Sequence, residues 1–234
     1  MADKIEMFPV ARRSFLARLG AGLGVVGAGL AVGEGIASAQ AATGGTFQPA
    51  RHAQDDWMDQ LPGKHRFVFD TTSAIGIGTA LLYANNFFVA SQSGYGLGDG
   101  DAAVVIIARH DSTPYAYNDK IWEKYGVSLT ARTNLTDPRT KQPPTVNLFN
   151  TTAPGLPNLG TTVDSLIKRG VHFGVCQMAT RFFAGQLAKA TSGNADAIYS
   201  ELTANLTGNA HLVAAGIVAV NRAQERGYTL ATTA

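Results

Sequence analysis

From residue 65 onward, short unbroken apolar runs alternate with longer stretches of helical length. His65 to Asp70, Ala102 to Ala108 and Val171 to Cys176 are such runs, rich in Val, Ile or Phe, and each predicts a buried strand. A last short strand is expected at Gly227 to Ala231. Between the runs, Ile75 to Ser91 carries Leu81, Leu82, Tyr83, Phe87 and Phe88 on more than one face, which predicts a largely buried helix. Tyr115 to Tyr125 predicts a helix ending at Gly126, and Thr161 to Arg169 an amphipathic helix closed by Gly170. Gln177 to Ala190, Asp196 to Leu206 and Ala210 to Arg226 complete the expected helices. Strands that are apolar throughout, instead of alternating, belong to parallel sheets covered on both faces. The pattern therefore predicts a three-layer α/β/α domain with a mainly parallel, Rossmann-like sheet.

Three stretches break the alternation. Gly94 to Gly100 holds four glycines and reads as a turn before the second strand. Residues 127–160 contain most of the prolines and little periodicity, and are too long for an ordinary connection, so they read as an insertion. Residues 40–64 are polar and read as a tether ahead of the domain at 65–234.

The first 39 residues read as an address. Arg12-Arg13-Ser14-Phe15-Leu16 precedes a Gly- and Ala-rich apolar run from Leu19 to Val32, too short for a membrane span of roughly 20 apolar residues. Ala37-Ser38-Ala39 supplies a small-x-small cleavage pattern, with a mature start near Gln40. The ordered set resembles a twin-arginine signal peptide, which implies handling by the Tat translocase and a periplasmic location.

Composition narrows the function. An apolar fraction of 45% suits a packed core, not a disordered chain. A net charge of +2 with scattered basic residues gives no nucleic-acid stripe. Cys176 is the one cysteine, so neither an intramolecular disulfide nor a multi-thiolate zinc site can form. His52, His65, His172 and His211 lack ligand spacing, so no metal is expected. No cofactor is expected either, since Leu81 stands where a dinucleotide fingerprint starting at Gly76 needs its third glycine.

Functional groups of a parallel sheet gather where strands end and helices begin. Cys176 is placed there, at the first turn of the helix from Gln177, where free amides and the helix dipole favour a thiolate. The same position also suits an inert cysteine acting as a small hydrophobe. Arg109-His110-Asp111 ends the second strand on the same sheet edge. His110 could deprotonate the thiol and Arg109 stabilise its charge, or the triplet could be a solvated cap. Asp70-Thr71-Thr72-Ser73 reads as a cap for the next helix, and Phe182 and Phe183 as core.

The first strand, Asn85-Asn86 in the following helix, Ile121-Trp-Glu-Lys-Tyr-Gly126, Gly170-Val-His-Phe-Gly-Val-Cys176 and Ala223-Gln-Glu-Arg-Gly-Tyr-Thr-Leu230 together resemble the DsrE/DsrF-like family over about residues 65–232. The resemblance implies a small α/β protein forming trimers or hexamers, and for some members a sulfur relay with persulfide on the cysteine that Cys176 matches. The expected function is thus a single-thiol sulfur carrier, with a protein thiol or a small sulfur compound as partner. The alternative is a non-catalytic oligomeric binding module of the periplasm. Export and the 127–160 insertion depart from the family pattern.

Overall fold

A computed structural model describes residues 48–234. The arginine pair, the apolar run, the cleavage pattern and residues 40–47 lie outside the described residues.

Five strands, β1 (His65–Thr71), β2 (Ala102–Ala108), β3 (His172–Cys176), β4 (Ala210–Val213) and β5 (Thr229–Thr233), form one parallel sheet in the order β4-β3-β2-β1-β5. Central β2 is buried at every position, as its unbroken run of Ala, Val and Ile requires. The chain steps in one direction from β1 to β4, then returns across the sheet to β5 beside β1. Parallel crossovers share one hand, so the first three connections lie on one face and the last on the other. Accordingly α2 (Ala74–Tyr95), α3 (Asp119–Thr133), α4 (Val163–Lys168) and α5 (Gln177–Thr191) pack with Phe69, Ile106 and Phe173, and α6 (Ala195–Ala204) packs against α5. On the opposite face α7 (Gly216–Gln224) and the one-turn α1 (Trp57–Gln60) cover Val68, Val105 and Ile107. The three-layer parallel α/β domain expected from the hydropathy pattern is the observed fold.

Several boundaries differ from expectation. Ala210 to Arg226 is not one helix: Ala210–Val213 adds to the edge of β3, and only Gly216–Gln224 is helical. The free edge of β3 satisfies a backbone that a helix would otherwise have served. The helix expected from Tyr115 begins later, at the Asn118 cap, after a 3-10 segment at His110–Ala116. It runs through Gly126 to a left-handed Asn134 instead of stopping at the glycine. Gly126 is there for close packing, since a Cβ would collide with the carbonyl oxygen of Pro144. Likewise α2 extends through Gly94 and Tyr95 and is capped by left-handed Gly96.

Residues 127–160 are packed into the domain. Leu148, Phe149 and Leu156 are buried in the main core, and buried Asn147 donates through Nδ2 to the carbonyls of Tyr115 and Tyr117 at 2.8 and 3.0 Å. The described part of the 40–64 stretch also departs from a tether. Met58 is fully buried, and its carbonyl accepts from Tyr228 Oη at 2.7 Å and Arg66 Nη1 at 2.8 Å. The Trp57 ring stacks on His211, with centroids 4.0 Å apart and planes 5° off parallel.

Candidate functional site

In an open parallel sheet a crevice opens where neighbouring strands send their next helices to opposite faces. Here that junction is between β3, which leads into α5, and β4, which leads into α7. A cavity of about 410 Å3 lies there, with Cys176, Arg109, His110, Arg132, Phe182 and Gly216 among its lining residues.

Cys176 ends β3 and is the N-cap of α5. Its Sγ accepts from Ala179 N at 3.4 Å, the place a serine or aspartate oxygen takes in most caps. Its carbonyl accepts from Thr180 Oγ1 at 3.0 Å, and Thr180 Oγ1 in turn accepts from Tyr117 Oη at 3.1 Å. Burial pushes the Tyr117 phenol well up, so this hydroxyl stays a donor. Cys176 is 6% exposed as a residue and lines the floor of the cavity.

Arg109 follows β2. Its backbone N donates to Ser112 Oγ at 2.9 Å, and Ser112 Oγ meets Thr71 Oγ1 at 2.9 Å in a fully buried hydroxyl pair joining the ends of β1 and β2. The Arg109 guanidinium grips Asp70 bidentately, with Nε–Oδ1 at 2.7 Å and Nη2–Oδ2 at 2.8 Å. That pairing raises the Arg109 pKa further, so its charge is permanent. The Arg109 stem lies flat on the first turn of α7, where a side chain on Gly216 would overlap it.

His110 lines the same cavity but is mostly exposed, with a left-handed backbone at φ 56°. Its Nδ1 lies 3.4 Å from Asp111 Oδ2, an ion pair when the ring is protonated. Asp111 Oδ1 accepts from Arg132 Nε at 2.6 Å, and the Arg132 guanidinium sits 5.1 Å from the centre of the Phe182 ring. The cavity therefore gathers Cys176, Arg109 and His110, the three candidates read from the sequence.

Other residues here had no reading as site residues. The Asp70-Thr71-Thr72-Ser73 segment caps α2 as expected, through Ser73, whose Oγ accepts from Gly76 N at 2.9 Å, while Asp70 at its start holds Arg109. Its place at a strand end was the available signal. Arg132 lay within the supposed insertion, and the first turn of α7 was hidden inside a single expected helix. Phe182 is a rim residue, 45% exposed, whereas Phe183 is buried. Of residues 127–160, Arg132 reaches the cavity lining.

His172 and His211, distant in sequence, meet on β3 and β4 with Nδ1 and Nε2 2.9 Å apart. Among the described residues no three His, Cys, Asp or Glu side chains converge as a metal centre requires.

No family model matches the chain, and no curated protein matches it significantly. Among solved structures it is similar to a protein of unknown function from Methanobacterium thermoautotrophicum. That match has 14% identity and a TM-score of 0.37, and covers 72% of this chain and 99% of the other.

Proposed function

We propose that this protein is a single-thiol sulfur carrier of DsrE/DsrF-like type, exported by the twin-arginine pathway to the periplasm and working as a trimer or hexamer. The observation that supports it best is a lone thiol held as the cap of α5 at the floor of a cavity, beside a permanently charged arginine. In the carrier reaction the Cys176 thiolate attacks the outer sulfur of a hydropersulfide, R–S–SH. A bond forms from Sγ to that sulfur, the bond to R–S breaks, its electron pair leaves on R–S⁻, and the proton stays on the transferred sulfur. The reverse attack by an acceptor thiolate unloads the protein. No net oxidation occurs, so a chain with one cysteine suffices. The Ala179 amide and Arg109 would stabilise the sulfur anion, and His110 at the mouth would accept the thiol proton.

The competing reading, a non-catalytic oligomeric binding module, is favoured by exposed apolar residues away from the cavity, Tyr83 and Val89 on α2 and Leu230 on edge strand β5. Mass spectrometry of protein purified from its native compartment decides between them. Extra sulfur on Cys176 is the expected result; a bare thiol that resists alkylation without denaturant supports the binding module instead.

A further inference from the structure

The charges around the cavity are internally matched. Arg109 is held bidentately by Asp70, and Arg132 is held by Asp111, which also faces His110. An incoming anion would have to compete with two carboxylates already in place, one of them, Asp70, buried. Arg109 Nη1 and the two Arg132 Nη groups keep open donors, but the charge behind them is already balanced by Asp70 and Asp111, which leaves little net pull on an inorganic sulfur anion. The walls carry an apolar signal. Met178, Phe182 and Ile217 stand at the rim with 68%, 45% and 59% of their surfaces exposed, and Phe183 and Ala215 continue the apolar lining inward. Three large exposed apolar side chains on two different helices, α5 and α7, surround one mouth. The volume, about 410 Å3, falls in the range of sites for small organic molecules.

We propose that the sulfur handled at Cys176 rides on an uncharged, apolar organic group, which the rim of Met178, Phe182 and Ile217 receives. This inference rests on the carrier reading of the same site and adds its substrate class. The atoms exchanged are those of the carrier step above, with R an apolar group that stays at the mouth while its outer sulfur reaches the floor.

Three methanethiosulfonates test it on the full-length protein. The methyl, benzyl and 2-sulfonatoethyl reagents transfer their sulfur to a thiolate with one common leaving group, methanesulfinate, and differ only in the tail. With one cysteine in the chain, every modification reports Cys176. Each rate is divided by that reagent's rate with a simple thiol in water. The benzyl reagent should then exceed the sulfonatoethyl reagent by about tenfold or more, the scale on which an apolar pocket selects. Phe182→Ser and, separately, Ile217→Ser should bring the benzyl-to-methyl ratio down towards unity. Both positions are exposed, so neither change threatens folding. A sulfonatoethyl rate equal to or above the benzyl rate overturns the substrate class, as does a benzyl preference untouched by both substitutions. If even the methyl reagent fails without denaturant, the carrier reading itself falls, an outcome distinct from loss of selectivity.

Discussion

On the face of the sheet bearing α2 to α5, Phe69, Ile106 and Phe173 meet a deep core that includes Trp122, Phe149 and Leu166. On the other face Val68, Val105 and Ile107 meet α7 and a one-turn α1, with Met58, Leu61 and Tyr228 as the larger partners. The first face is closed by apolar volume. The second is closed by a thin cover tied down with polar and aromatic contacts: Arg226 to Asp59 at 3.0 Å, Tyr228 to the Met58 carbonyl, and Trp57 on His211. Apolar packing carries no proton to gain or lose, whereas ion pairs and imidazoles respond to pH. The candidate site lies where the two coverings meet, between the first turns of α5 and α7.

The largest effect should come from the deep face. Phe149→Ala removes a fully buried ring contributed by the supposed insertion and should destabilise the protein by about 3–5 kcal/mol in denaturant unfolding. A loss below about 1 kcal/mol would mean that residues 134–160 are an accessory after all. At the junction, Asp70→Asn breaks a bidentate charged pair and should cost about 1–3 kcal/mol. It should also unbalance the cavity's charge in favour of Arg109, raising the sulfonatoethyl rate relative to the benzyl rate. A selectivity unchanged by this substitution would show that Asp70 does not set the charge the cavity presents.

The same contrast explains what could be read from the chain. Unbroken runs such as Ala102 to Ala108 have one stable home, a strand buried on both faces, so the layered fold and the strand-end positions of Cys176 and Arg109 were legible. Ala210 to Val213 was not, because a run of four residues is too short to carry a period and the open edge of β3 decided their state. Gly126 looked like a stop, since a glycine required by a close approach of Pro144 leaves the same mark in sequence as a glycine that ends a helix. Phe149 sits amid prolines with no period, and only tertiary burial shows it to be core. Asp70 and Arg132 reach the site through pairings across 39 and 21 residues, Asp70 with Arg109 and Arg132 with Asp111, and no local pattern records them. The meeting of His172 with His211 likewise depends on the register of β3 against β4.

The thin cover should weaken in acid. Burial lowers the pKa of His172, and burial together with the neighbouring His172 lowers that of His211 from 6.5 to about 4. The charged groups on the surrounding elements are already engaged: Asp59 and Asp56 with Arg226, Arg222 with Glu225, and Arg66 with carbonyls. Both rings are held neutral in the folded state, so the unfolded chain binds more protons. Their contribution is complete above about pH 6.5 and is lost as the pH falls towards about 4. Discounted for partial exposure, the loss for His211 is at most about 2 kcal/mol. Unfolding midpoints measured across this window should fall with pH in the wild type and much less in His211→Phe. An equal slope in both proteins would place the sensitivity elsewhere.

The smallest effect on stability should come from Cys176, the residue on which the proposed sulfur transfer depends. In Cys176→Ser a hydroxyl replaces the thiol at the N-cap, a position where serine is among the preferred residues, and it can accept from the Ala179 amide as sulfur does. The side chain is slightly smaller and its surroundings at the floor are partly polar, with Thr180 and Arg109 nearby. Gains at the cap and losses in packing should therefore cancel to within about 0.5 kcal/mol. Every methanethiosulfonate reaction, by contrast, should vanish, because no other thiol exists in the chain. A serine variant destabilised by several kcal/mol would assign Cys176 to packing, in line with the binding-module reading. A variant as stable as the wild type would show that the fold does not need sulfur at this position, as the carrier reading requires.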